Sequence, residues 1–471
     1  MIRSAALLVS GNAVISLTTL VRNLLVARLV SVEDYGIAAT FAVSMAIVEL
    51  ASNFGLQQLI VQDRGGDDPR LQAGLHGFNA MRGLVSGLVL LALAGPLAAF
   101  LGIPEVAWAY QLMALVPVMR GLQHFDAERF KRRMRYGPSI AAVLVPALVS
   151  VAAVWPLAQA FGDWRVMLYA VLTQAALGLL ASHVVAERRF AISLERDVIG
   201  RAMRFGWPLL VNGALLFLVM HGEKLVVGRE AGMAALGLFA MGLTLTLTPG
   251  LVLARSAQAF FLPQLSALQD EGEAFDRMAA TAMQAALMAG LFVAASVAVV
   301  GPPFVTLVLG EKFAALVPLL PWLGVLQAVR SFKAGTATVG LSRGHTTNPM
   351  LANVPRAVAV GVSWALLARG AGLGEVIAVA IAAEVAGYAI SLVLVRARAR
   401  TPLGAMLVPV AAAATVLGAI AAGATLAPPG LPAGVLGALA ATLALAAALA
   451  AMPELRRYAA RRAPAKLTGV R

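Results

Sequence analysis

Apolar runs of about 18 to 30 residues alternate along the whole chain with short clusters of charged residues, Gly and Pro. A helix needs about 20 apolar residues to cross roughly 30 Å of hydrocarbon. The runs near 6–28, 35–60, 75–100, 106–128, 137–160, 165–186, 203–222, 233–262, 280–309, 315–341, 350–369, 374–395, 403–426 and 431–451 therefore predict fourteen transmembrane helices. Asn12, Ser16, Thr18 and Thr19 interrupt the first run, which is long enough to span, so it is expected to stay in the mature protein and not to act as a cleavable signal.

Composition agrees with that pattern. Hydrophobic residues make up 60% of the 471 and charged residues 13%, with a mean hydropathy of +0.84. No soluble interior is large enough for so much apolar surface, which excludes a soluble enzyme, a secreted scaffold and a disordered tail. The net charge of +14 would suggest nucleic acid in a soluble chain, but here the basic residues gather in alternate loops and no nucleic-acid partner is expected. With the N-terminus inside, 24 Lys and Arg fall on the cytoplasmic side and six on the other. That imbalance predicts two cytoplasmic termini and an even number of spans. There is no cysteine, the five histidines are scattered, and no HExxH, P-loop, GxSxG or Gly-rich dinucleotide motif occurs in suitable context. No metal, cofactor or covalent chemistry is expected.

The charged segment ERRFAISLERDVIG, residues 187–200, divides the chain after six predicted helices; its Phe190, Ile192 and Leu194 suit the membrane surface. The expected fold is an all-α polytopic membrane protein with about fourteen transmembrane helices, in two six-helix lobes plus a C-terminal helix pair. Its parts are a first lobe 1–186, a cytoplasmic amphipathic linker 187–202, a second lobe 203–395, a two-helix appendage 396–451 and a basic cytoplasmic tail 452–471.

Polar residues inside the spans are the candidates for function, because an ionised side chain in hydrocarbon must be hydrated, neutralised or paired. Asn12, Ser16, Thr19 and Asn23 share one face of the first helix, bordered by Arg22; helix contacts and snorkelling explain them as well as ligand binding does. Glu49, Asn53 and Gln57 follow one another at i+4 on the second helix, as a polar cavity wall or a paired stripe. Arg82, Arg120, Arg255, Arg330, Lys333 and Arg356 lie within spans, Arg330 deepest; snorkelling suits Arg82 and Arg356 best. Arg255 and Gln258, at i and i+3, are placed to share an anion or to cap a helix contact. Glu384 stands alone in the twelfth span, either proton-responsive or paired with a neighbouring helix. Pro117, Pro249, Pro318 and Pro321 are sites for bends, which transporters use and packing also produces. The substrate-binding candidates are thus Arg22, Glu49, Asn53, Gln57, Arg120, Arg255, Gln258 and Arg330, and the ion-coupling candidates are Glu49 and Glu384.

Residues 22–63, RNLLVARLVSVEDYGIAATFAVSMAIVELASNFGLQQLIVQD, carry a turn of Ser31, Glu33, Asp34, Tyr35 and Gly36, followed by Phe54, Gly55 and Leu56. This segment resembles the polysaccharide transporter branch of the multidrug/oligosaccharidyl-lipid/polysaccharide exporter superfamily, the lipid-linked oligosaccharide flippases. Residues 205–242 resemble the start of the second lobe in that family, with Glu223 where Asp is common and Phe239 where Tyr is common. The resemblance covers about residues 1–395. It implies a bacterial inner-membrane protein that flips an undecaprenyl-diphosphate-linked glycan by alternating access for surface polysaccharide, exopolysaccharide or O-antigen assembly. Membrane lipids, a polysaccharide polymerase and export machinery are the implied partners. A cation-coupled exporter of amphiphilic drugs is the sister alternative and would favour an acidic, aromatic-lined cavity. A polymerase should have a larger external loop, and a purely structural role leaves the broken polar helices without a purpose.

The charge asymmetry makes an orientation prediction. Single cysteines placed in 129–135 and 187–204 of this cysteine-free chain should resist an impermeant thiol reagent in intact cells and react once the membrane is opened. Labelling of 129–135 from outside would invert the topology.

Overall fold

The computed structural model describes the backbone of residues 2–51, 56–63, 65–426 and 433–462, and the side chains of 14–47, 56–57, 59–61, 63, 65–204, 213, 216–424 and 437–461. The Asn12 and Glu49 side chains, Asn53, Phe54 and Gly55 lie outside the described residues.

The described residues form helices joined by short connections, with no strand among them. The first elements are α1 (Ile2–Leu29), α2 (Val32–Ala51), α3 (Leu56–Gln62), α4 (Pro69–Phe100), α5 (Ala107–Met113), α6 (Leu115–Gly121), α7 (Asp126–Arg132), α8 (Tyr136–Phe161) and α9 (Arg165–Val184). Next come α10 (Arg196–Glu230), α11 (Gly232–Ala267), α12 (Gly272–Phe304) and α13 (Leu320–Ser342), then α14 (Asn348–Ala352), α15 (Val354–Leu367) and α16 (Leu373–Arg398). The last are α17 (Leu407–Leu426), α18 (Ala433–Ala450) and α19 (Pro453–Arg462). Among the described residues, each of the fourteen predicted runs overlaps helical segments. Among the described residues nine helical segments are each long and apolar enough to cross a bilayer, and Gly437–Ala450 with Pro453–Arg461, bent by 88°, makes a tenth if counted as one span. The run near 106–128 does not qualify, because it breaks at Ala114 and ends at Gly121. Leu84, Leu88 and Leu91 lie exposed along one face of α4, as side chains in contact with lipid do.

Proline has different effects at different positions. Pro249 and Pro263 sit within an unbroken α11, whereas Pro318 lies in a 3₁₀ segment, Glu311–Leu319, that precedes α13. Pro321 occupies the first turn of α13, where its missing N–H costs nothing.

Two compact units form, Met1–Ala240 and Met241–Arg471. In the first, α1 packs on α8, α8 on α9, α4 on α5 and α6, and α10 along α2 and α4. In the second, α12 and α13 form the central pair, with α16 on α13 and α17, α18 and α19 on α12. The division at 240 differs in basis from one by helix count and charge: α10 lies beyond the linker in sequence but packs on first-unit helices.

The Ser31–Gly36 turn has a structural explanation. Ser31 caps α2: its Oγ accepts from Asp34 N–H at 3.0 Å and donates to Asp34 Oδ2 at 2.5 Å. At Gly36 the start of α2 meets the start of α11 with no room for a side chain. A Cβ on Gly36 would stand 1.8 Å from the Met233 carbonyl oxygen, and one on Gly237 would stand 2.1 Å from that of Val32.

The linker is neither helical nor free between residues 187 and 195. Asp126, at the start of α7 and outside the spans, accepts from Arg129 Nε (2.8 Å), Gln72 Nε2 (2.7 Å) and the backbone N–H groups of Glu187 and Arg188 (2.8 and 2.9 Å). Burial opposes its ionisation, but these four donors outweigh burial and hold its carboxyl well below the usual carboxylate range. The Arg135 and Arg129 guanidiniums likewise lower Glu187. Histidines scattered in sequence converge here. His76 accepts from Phe125 N–H and reaches Ala191 O, both at 3.0 Å; His124 accepts from Asp126 N–H at 3.0 Å and reaches Arg188 O at 3.1 Å. His183 Nε2 lies 3.0 Å from Leu122 O. Phe190 inserts its ring among the three imidazoles, while Ile192 and Leu194 stay exposed. The ring nitrogens serve backbone groups, and among the described residues no set of three or more acidic or His side chains is arranged to hold a metal.

Gly36→Ala should lower the thermal unfolding midpoint of the purified protein, because overpacking against backbone costs about 1–3 kcal/mol. Gly361→Ala, where an added Cβ meets nothing within 4 Å, should leave it equal or higher.

Candidate functional site

The helical repeat of α13 places Gln327, Arg330 and Lys333 one turn apart on one face. That face meets Glu384 of α16, whose side chain is wholly buried. Arg330 Nε lies 2.7 Å from Glu384 Oε1, Lys333 Nζ 2.5 Å from Oε2, and Arg356 Nε of α15 3.2 Å from Oε1. Arg330 Nη1 also reaches Gln327 Oε1 at 3.4 Å, and Gln327 Nε2 lies 3.4 Å from Thr246 Oγ1 of α11. Lys333 Nζ donates to Asn353 Oδ1 at 2.9 Å.

Gly387, three residues beyond Glu384, makes this convergence possible. A Cβ there would stand 2.3 Å from the Ala352 carbonyl oxygen, so only glycine lets the junction of α14 and α15 come close enough to present Asn353 and Arg356. Three cationic side chains thus surround one carboxylate. The three cations keep only 7–12% of their side-chain surface exposed. Such a cluster strongly favours a further anion, since charge is poorly screened away from water.

The structure distributes the sequence candidates over both units. Arg330 and Glu384 meet directly. Glu384, solitary in the sequence, pairs with α13 and α15. Arg356 does not snorkel to an interface but turns to Glu384, and Lys333, unassigned in sequence, is part of the same cluster. Its place three residues after Arg330 was the available signal. In the first unit, Arg22 of α1 donates through Nη1 to Ser150 Oγ of α8 at 3.3 Å and to Gln174 Oε1 of α9. Gln57 and Arg120 line a first-unit cavity together with Arg82. Arg255 is exposed on α11 and Gln258 half-buried one turn further on.

The sequence profile of the family described as "Polysaccharide biosynthesis protein" matches residues 25–318. The succinoglycan biosynthesis transport protein ExoT of Rhizobium meliloti (strain 1021) is 23% identical over 317 residues, 65% of this chain and 62% of that protein. The lipopolysaccharide biosynthesis protein WzxC of Escherichia coli (strain K12) is 22% identical over 336 residues, 69% of this chain and 65% of that protein. The matches therefore span somewhat less than two thirds of each relative's length. Among solved structures, the lipid II flippase MurJ in an inward closed conformation superposes with a TM-score of 0.70 at 12% identity, over 94% of this chain and 98% of that one. An inward-facing multidrug resistance MATE family transporter of the MOP superfamily gives 0.63 at 17% identity, over 81% and 95%. Identities this low establish a common fold alone. Because the family profile covers more than half of the chain, this multi-pass helical membrane protein belongs to the polysaccharide biosynthesis protein family.

Proposed function

We propose that the protein flips an undecaprenyl-diphosphate-linked oligosaccharide from the cytoplasmic to the periplasmic leaflet of the bacterial inner membrane, with both termini cytoplasmic. The relatives named for succinoglycan transport and lipopolysaccharide biosynthesis support this reading, as does the shared fold of a lipid II flippase. The observation that carries it is the cluster at Glu384: its three cations would attract a diphosphate headgroup and repel a cationic drug. Drug export on the same fold would call for the opposite field.

The step needs no bond made or broken. Basic side chains hold the diphosphate, Asn, Gln and Thr replace water at sugar hydroxyls, and the lipid tail stays in the membrane. Two lobes expose the site in turn to each side. In this scheme Arg120, Arg255 and Arg330 contribute to an inward-facing basic vestibule, with Arg22, Glu49, Asn53, Gln57 and Gln258 along the path. A polysaccharide polymerase and export machinery act on the product.

Leaflet transfer of a labelled lipid-linked oligosaccharide in proteoliposomes, with and without an imposed ion gradient, tests the function. Arg330→Ala should reduce transfer at least tenfold and Arg330→Lys less, since Lys keeps the charge and loses the planar fork. Wild-type transfer after separate neutralisation of Arg120, Arg255 and Arg330 in folded protein would remove them from the site. Export of a cationic drug without any glycan-lipid transfer would replace the function itself. Glu384→Gln breaks a buried ionic cluster and should cost about 3–5 kcal/mol of stability, read as a lower unfolding midpoint.

A further inference from the structure

The last helix is set across the one before it. Gly437–Ala450 of α18, with Leu439 and Leu443 exposed as lipid-facing side chains are, turns by 88° into Pro453–Arg461 of α19. A helix at right angles to a span lies in the plane of the bilayer, and two glutamines fix its depth. The apolar run of α11 ends near 262 and that of α12 begins near 280, so Gln264 and Gln284 mark the same edge of the hydrocarbon. Gln284, wholly buried, accepts from Leu455 N–H at 3.0 Å and donates to Ala405 O at 3.1 Å, joining α19 to the turn before α17. Tyr458 donates to Gln264 Oε1 at 2.8 Å and sets its ring against Phe260 and Phe261. The start of the basic tail is therefore a helix docked at headgroup depth.

Its two faces differ. Met452, Leu455 and Tyr458 follow one another at i+3 on the face turned to α11 and α12, with Met452 fully buried. Arg456, Arg457, Ala460 and Arg461 are exposed on the other. Arg456 donates to Ala450 O at 3.1 Å, Arg457 pairs with Glu454 at 2.7 Å, and Arg461 forms no ion pair among the described residues. Three guanidiniums thus stand against one carboxylate. In the turn between α11 and α12, Glu273 is held by Arg277 at 3.1 Å, which leaves the exposed Asp270 and Glu271 as the competing partners within the unit.

We propose that the exposed face of α19 binds the phosphates of anionic phospholipids and so fastens the C-terminal helix pair to an acidic leaflet. An apolar face held by the protein, a tyrosine at the boundary and arginines turned outward are the arrangement of an interfacial helix on negatively charged headgroups. Charge and not a shaped pocket does the recognising, so lysine should serve where arginine does. The partner is bulk membrane lipid, and the inference is independent of the transport reading.

The test places one cysteine, Ala460→Cys, in the otherwise cysteine-free full-length protein, attaches a fluorophore and reconstitutes it in phosphatidylcholine bilayers that contain phosphatidylglycerol as the minor lipid. Each lipid in turn carries a bromine quencher. At equal mole fraction brominated phosphatidylglycerol should quench more strongly, and the preference should fall in about 1 M salt, where the Debye length is about 3 Å. Arg461→Gln should cut the preference about fivefold, the worth of one basic residue near an acidic surface, and Arg461→Lys should keep it. Arg396→Gln, exposed at the end of α16, should leave it unchanged. Equal quenching by the two lipids overturns the proposal, as does a preference that survives Arg461→Gln and the further neutralisation of Arg456 and Arg457 in folded protein. A preference that appears only after Asp270→Asn with Glu271→Gln also overturns it, by showing that those carboxylates hold the arginines instead. Glycan-lipid transfer is measured separately and can succeed or fail under any of these results.

Discussion

A charge inside hydrocarbon must be given partners by the protein, because lipid supplies none. The second unit meets this requirement by bringing α13, α15 and α16 together on Glu384, so one carboxylate holds Arg330, Lys333 and Arg356. The helix packing and the charge cluster depend on each other: without Gly387 the α14–α15 junction would stand too far away, and without Glu384 the three cations would drive those helices apart. Arg22 solves the same problem in the first unit with neutral partners, Ser150 and Gln174.

At the basic end of the first unit the same economy of charge governs a loop. Asp126 gathers two side-chain donors and two backbone N–H groups, and in doing so fastens residues 187–188 to α4 and α7. His76 and His124 use one nitrogen as acceptor and the other toward a carbonyl, so each ring bridges two stretches of backbone in the neutral state. An amphipathic surface segment would have turned Phe190, Ile192 and Leu194 together toward lipid. Here Phe190 goes inward among the imidazoles and the other two stay exposed, so the segment does not keep the regular alternation of an extended strand, which would turn all three to one face.

The spans were legible because hydropathy reports directly on what a bilayer tolerates, and among the described residues all fourteen runs overlap helical segments. The break of the fourth run at Ala114 was less so: Pro117 announces a disturbance, but where the helix ends depends on the crossing with Gly83. The role of Ser31, Asp34 and Gly36 was readable in part, since capping chemistry is local, while the partner of Gly36 lies about 200 residues away at Met233. Glu384 and Arg330 were recognisable as costly residues. Their pairing was not, because it depends on which faces of α13 and α16 meet. Lys333 and Arg356 were visible as cations inside the spans, and their place at Glu384 was hidden for the same reason. Three of five histidines cluster in space although nothing in their spacing says so.

The contact of Gly36 and Gly237 also has a consequence for biosynthesis. The notch that α2 presents at Val32–Gly36 is filled by residues 233–237, so the first unit cannot close until nearly half of the chain has been made. At about 5–20 residues per second, the interval between the two segments is roughly 10–40 s. For that time the notch in α2 has no partner from its own chain, and the seam stays open until α11 begins to form.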